Sequence, residues 1–117
     1  MKKYYLNVVF TFFLMVFFLS HEFVFAFMPL FNKTIILDIG HGGLDPGSMY
    51  QDIYEKDINL AIGKELESEL KKMGAKVIMV RQGDYDLSQP NAYRRKKSDF
   101  DNRIKLINES RADYYFS

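Results

Sequence analysis

Thr34-Ile35-Ile36-Leu37-Asp38-Ile39-Gly40-His41-Gly42-Gly43-Leu44-Asp45-Pro46-Gly47 is the stretch on which the fold turns. Its first six residues form a short, nearly continuous apolar run rich in β-branched side chains. Such a run, too short for a helix, reads as a strand buried on both faces. Gly40 stops it, and Gly42, Gly43, Asp45, Pro46 and Gly47 mark a turn-rich loop.

Toward the C-terminus the period changes. From about Asp57, the residues Ile58, Ile62, Leu66, Leu70 and Met73 recur three or four apart, which predicts a helix with one apolar face. Glu55 and Asp57 sit where acidic residues favour a helix start, Lys71 and Lys72 where cations favour its end, and Gly74 supplies the stop. Ala75-Lys76-Val77-Ile78-Met79-Val80 reads as a second strand. Strand, helix and strand at this spacing make a βαβ unit with parallel strands and a right-handed crossover. A polar loop over residues 82–90 leads to a second helix, which starts between Asn91 and Ser98, runs to about Ser110 and buries Phe100, Ile104 and Ile107. Asp113-Tyr114-Tyr115-Phe116-Ser117 begins a third strand. The expected fold class is α/β, the N-terminal part of a doubly wound sheet in the order β-α-β-α-β. Parallel strands need cover on both faces, and three strands with two helices bury little surface. The chain therefore reads as the front portion of a larger α/β domain.

Toward the N-terminus the composition shifts. Nine of the eleven phenylalanines lie in the first 31 residues, where only Lys2, Lys3 and Glu22 are charged. Two lysines, an apolar centre over residues 8–19 and small residues after it form the pattern of a secretory signal, with cleavage plausible after Ala26. An uncleaved membrane anchor is the alternative: residues 4–19 fall just short of the roughly 20 that cross hydrocarbon as a helix. Both readings divide the chain into a leader helix, 1–31, and a body, 32–117. Both place the body outside the cytoplasm, in the cell wall or anchored at the membrane, with the lysines left inside. His21 reads as a polar spacer in the leader.

Composition also excludes chemistry. With no cysteine there is no disulfide, thiolate site or Cys nucleophile. The net charge is +1, so nothing favours nucleic acid as a partner. In open α/β sheets functional groups gather beyond the carboxyl ends of the strands, which is where His41 falls. Glu55, at the mouth of the first helix, returns to the same end. An imidazole and a carboxylate on one rim suit zinc, although a turn histidine and a helix-start charge would look the same. The glycine loop would also serve as a phosphate cradle, but neither a Walker lysine nor dinucleotide spacing accompanies it. Arg94-Arg95-Lys96-Lys97 has Asp99 and Asp101 close behind, which favours a solvated helix start over a polyanion site. Asp84, Asp86 and Ser88 suggest a turn.

The combination is more specific than its parts. Ile36-Leu37-Asp38-Ile39-Gly40-His41-Gly42-Gly43-Leu44-Asp45-Pro46-Gly47, followed by Glu55-Lys56-Asp57-Ile58-Asn59-Leu60-Ala61, closely resembles the opening of the zinc-dependent N-acetylmuramoyl-L-alanine amidases of the Amidase_3 type. Gly74-Ala75-Lys76-Val77-Ile78-Met79-Val80-Arg81 is similar to that family's second strand. Arg103 to Asn108 and then Ala112-Asp113 look like its R-x-x-x-x-N helix end. The short loop and the basic run are most like the sporulation and germination amidases of the CwlD type.

The resemblance implies a peptidoglycan hydrolase that cleaves the amide between N-acetylmuramic acid and L-alanine. It implies zinc held by two histidines and a glutamate, which activates water and polarises the amide carbonyl. A second glutamate near the domain's end would be the general base. His41 matches the first ligand and Glu55 the second. Asp38 is expected to partner His41 from behind, although a polar residue that merely ends the strand would look the same. Ser117 matches the first residue of the Ser-x-His motif that carries the third ligand. That histidine and the general base are expected beyond residue 117, so the zinc site within these residues is incomplete and no catalytic base is assigned. The expectation is an amidase portion, truncated and inactive as it stands. The alternatives are a non-catalytic wall-binding or membrane-associated remnant and, less fittingly, a phosphate- or nucleotide-binding module.

Overall fold

A computed structural model describes the backbone of residues 2–117 and the side chains of residues 4–19 and 27–117. The side chains of His21 and Ala26, on which the spacer and cleavage readings rest, lie outside the described residues. The elements are α1 (Lys2–Phe27), β1 (Thr34–Leu37), β2 (Met49–Tyr50), β3 (Ile53–Tyr54), α2 (Glu55–Lys72), β4 (Lys76–Met79), α3 (Arg95–Ser110) and β5 (Tyr114–Phe116). The architecture is α/β, as expected: β4, β1 and β5 form a parallel sheet in that order, with β1 in the centre.

The central place of β1 explains its composition. Ile35, Ile36 and Leu37 are each at most 2% exposed, and burying such side chains stabilises the fold by roughly 1.5–3 kcal/mol apiece. Ile35, Leu37 and Ile39 meet Ala75 and Met79 in one core, joined by Leu30, Leu60, Leu70 and Val77. Leu30, grouped with the leader by composition, thus packs on the body, and its N–H donates to the Met73 carbonyl at 3.0 Å. The turn after α2 passes close by: Gly74 has φ +91°, and a Cβ there would stand 3.0 Å from Met28.

Two expectations are corrected. The face of α2 that packs inward carries Leu60, Gly63 and Leu70, whereas Ile58, Ile62 and Leu66 are exposed. Gly63 decides this, since a Cβ there would lie 2.3 Å from Ile39 Cδ1, and helix and sheet approach where no side chain intervenes. In α3 the buried residue is Arg103; Phe100 and Ile104 are exposed and Ile107 is only partly covered. A small antiparallel hairpin, β2 with β3, lies between the glycine loop and α2. Its turn contains Gln51 at φ +54°, and no Asn-Gly or Asp-Gly pair announces it. In β5, Tyr114, Tyr115 and Phe116 are all about half exposed.

The apolar side chains of residues 4–19 on α1 are exposed. Among the described residues, no helix is long and apolar enough to cross a membrane.

Candidate metal centre

The chain leaves β1 through Asp38 and Ile39 and turns at His41, whose φ of +60° is the left-handed region that few non-glycine residues occupy. Two buried arginines hold this turn. Arg81, 1% exposed at the end of β4, donates from Nε to the Ile39 carbonyl (3.0 Å) and from Nη2 to those of Gly40 (2.9 Å) and Lys56 (2.7 Å). Arg103, 5% exposed, donates from Nη1 to the Ile39 carbonyl (2.8 Å) and from Nη2 to that of His41 (2.9 Å). Three successive carbonyls thus face two guanidinium groups, and the strained turn is over-determined by charge-assisted hydrogen bonds.

The two cations differ in their compensation. Burial and the neighbouring Arg103 lower the pKa of Arg81 below its ordinary value, for it bonds carbonyls rather than carboxylates. Burial also works against the charge of Arg103. There the carboxylates of Asp38 (2.6 Å) and Asp99 (2.9 Å) outweigh it, and the pKa lies above the ordinary value.

With the backbone so held, the His41 imidazole lies between two carboxylates. Its Nδ1 is 3.0 Å from Asp45 Oδ2, and its Nε2 is 3.3 Å from Glu55 Oε1. Glu55 opens α2, and its placement comes from the loop: the Ser48 N–H donates to Oε2 (2.8 Å), and the Glu55 N–H donates back to the Ser48 carbonyl (2.9 Å). The Ser48 bond is the main reason why the Glu55 carboxyl titrates below its ordinary value. Gly47 leaves room for the pair. At φ +68°, a Cβ there would come within 2.7 Å of both Glu55 Oε2 and His41 Cδ2.

The two residues singled out from the sequence are therefore together. Two tetrahedral zinc ligands at the usual nitrogen and oxygen distances stand about 3.4 Å apart, so the observed 3.3 Å suits a shared ion. It equally suits a direct ion pair when the imidazole is protonated. Among the described residues, no group of three or more His, Cys, Asp or Glu converges to hold a metal. Asp38 does not partner the imidazole as expected. Its carboxylate meets Arg103 and the Tyr115 hydroxyl (3.4 Å), and the carboxylate behind the ring belongs to Asp45. The strand-end position of Asp38 points it toward α3, whereas the loop folds Asp45 back under the ring through paired backbone bonds between Gly42 and Asp45.

Sequence reasoning missed the roles of Asp45, Gly47, Arg81 and Arg103. Asp-Pro-Gly carries a turn signal that hides a functional carboxylate, and an arginine at a strand end looks solvent-bound. Lys56 and Asp84 were missed too: Lys56 Nζ donates to the Gly43 carbonyl (2.9 Å) and to Asp84 (2.8 Å), closing the loop from its other side. The basic run behaves mainly as a helix start, with Arg95 on Asp86 and Lys97 on Asp101, although Lys96 Nζ reaches to 3.4 Å from Asp45. The loop is a poor phosphate cradle. The Gly42 and Gly43 N–H groups already donate to the Asp45 carbonyl and to Asp84, and Ser48 is committed to Glu55. His41 and Glu55 open onto a cleft of about 550 Å³, whose walls include Asn59, Ile62, Leu66, Phe116 and Ser117.

The description "N-acetylmuramoyl-L-alanine amidase" (Amidase_3) matches residues 35–117, which take in the whole sheet and its loops. The chain belongs to this amidase family. Over 93 residues it is 42% identical to the germination-specific N-acetylmuramoyl-L-alanine amidase of Bacillus subtilis, an alignment covering 77% of this chain and 39% of that protein. It is 47% identical over 66 residues to the probable cell wall amidase LytH of Staphylococcus aureus, covering 54% of this chain and 23% of that one. The CwlD amidase of Clostridioides difficile, solved in complex with the GerS lipoprotein, superposes with a TM-score of 0.68 at 39% identity, over 72% of this chain and 46% of that one. The chain thus spans about two fifths of the length of the first of these relatives.

Proposed function

We propose that this chain forms the first part of a zinc-dependent peptidoglycan amidase that cleaves the amide between N-acetylmuramic acid and L-alanine, with His41 and Glu55 as two of the metal ligands. The observation that carries the reading is the 3.3 Å separation of His41 Nε2 and Glu55 Oε1 at the open end of the sheet. Similarity to a germination-specific amidase favours a role in the spore wall over general wall turnover. The substrate polymer and the apolar helix α1 together favour an extracytoplasmic site of action, at the cell wall or held to the membrane by the leader.

Zinc in such a site supplies a Lewis acid for the amide carbonyl and lowers the pKa of water. The chain's own part is to position. Glu55 arrives as a carboxylate, because Ser48 stabilises its charge. Arg81 and Arg103 fix the turn that aims the imidazole. The exposed apolar wall of Ile62, Leu66 and Phe116 gives a bound substrate a surface next to these ligands. Ser117 lines the same cleft, so a ligand arriving just after β5 would join the pair. Structural zinc sites use four protein ligands and catalytic sites three, so two alone bind weakly. We therefore expect residues 1–117 by themselves to leave peptidoglycan uncut.

Zinc titration of the purified chain tests the ligands. Weak binding that disappears in both H41A and E55Q is the expected result; zinc affinity indifferent to both substitutions would remove the metal reading. Incubation with peptidoglycan tests the inactivity, which is wrong if new L-alanine amino termini appear.

A further inference from the structure

We infer that Asp45 is the positioning residue that fixes the His41 ring tautomer, holding the proton on Nδ1 and leaving the Nε2 lone pair facing Glu55. Its value to a metal rests on the ligand role proposed for His41, whereas its hold on the ring stands apart from it. The geometry is specific. Asp45 Oδ2 is 3.0 Å from Nδ1, in line for a hydrogen bond, and the competing contact from Nε2 to Glu55 is longer, at 3.3 Å.

An ionised carboxylate only accepts, and a neutral imidazole between two of them has one proton to give, which the nearer acceptor draws to Nδ1. The carboxylate is itself held in place. The Gly42 N–H donates to the Asp45 carbonyl (2.9 Å), and the Asp45 N–H donates back to that of Gly42 (3.0 Å). Lys96 Nζ stands 3.4 Å from Oδ1, outside the ring contact. The Asp45 side chain is only 19% exposed. Ring orientation by a carboxylate on the second nitrogen is what ligating histidines generally require, and losing such a partner costs about 10- to 100-fold in metal affinity.

The test uses the full chain in detergent micelles, with H21Q leaving one histidine, and reads the ring nitrogens of His41 by NMR at a pH where the imidazole is neutral. The proton should sit on Nδ1 in this parent. In D45A it should move predominantly to Nε2, where Glu55 becomes the remaining acceptor. D45N, whose amide oxygen still accepts, should retain part of the parent signature, and this rescue separates positioning from a loss of fold. Zinc titration should show D45A weakened about 10- to 100-fold and D45N less so. A D45A ring that keeps its proton on Nδ1 would overturn the inference. A parent with its proton on Nδ1, a shift to Nε2 in D45A and no uptake of zinc would overturn the metal reading and leave the role of Asp45 intact.

Discussion

The helices α2 and α3 are both anchored to the sheet and its loops, but by different physics. Helix α2 docks through shape: Gly63 lets Ile39 and Met79 approach, and Leu60 and Leu70 join the core. Helix α3 docks through charge: Arg103 reaches Asp38 and the carbonyls of Ile39 and His41, Asn102 donates to the Leu87 carbonyl, and Asp99 accepts from the Leu87 N–H. The apolar side chains Phe100 and Ile104 take no part and remain exposed. Apolar burial is tolerant and roughly proportional to area, whereas a buried cation depends on every partner being present. The element that tethers His41 from above is thus the more brittle one.

The largest effect is expected at Arg103. R103M leaves the largely covered carboxylates of Asp38 and Asp99 without their cation and should destabilise the chain by about 3–5 kcal/mol in urea unfolding. A cost below about 1 kcal/mol would mean that α3 is not held by charge. G63V probes the other helix. Its added carbons enter the space occupied by Ile39 Cδ1, and a loss of about 1–3 kcal/mol is expected, again by urea unfolding. An unchanged midpoint would show that shape complementarity is not what seats α2.

Acid gives the smallest and most selective test. Burial raises the pKa of Asp86, but hydrogen bonds from Ser88 and Arg95 outweigh it, and the carboxyl titrates below its ordinary 3.8. A lowered folded-state pKa contributes stability that is fully present above the unfolded value. That stability is lost as pH falls through the folded value. Loosening of α3, which Arg95 ties to Asp86, should therefore begin as pH drops below about 3.8, and D86N should remove that part of the dependence. Helix signals followed by NMR across an acid titration would show α3 yielding before α2. Simultaneous loss of both would erase the distinction between them.

Much of this was legible in the linear order of residues. The β-branched run ending at Gly40 marks β1, because a run that short and apolar at nearly every position suits a strand covered on both faces. The same local grammar places α2, β4, α3 and β5 and sets His41 and Glu55 at one rim. The inward face of α2 was not legible: Ile58, Ile62 and Leu66 outweigh a single glycine in any periodicity, yet Gly63 is the residue that permits close approach. The partners of His41 were also hidden. Asp38 is three residues away in sequence but turns toward α3, while Asp45 lies across a loop whose closure depends on backbone bonds.

By itself, then, the order of residues determined every element of the body but the β2–β3 hairpin, the parallel topology and the pair that faces the cleft, since propensity, turn chemistry and alternation act over a few neighbours. Tertiary structure alone decided which carboxylate stands behind the imidazole and which arginines clamp its backbone. The arginine contacts join residues about 40 and 60 positions apart, and their strength comes from exclusion of water, which exists only once the chain has closed around them.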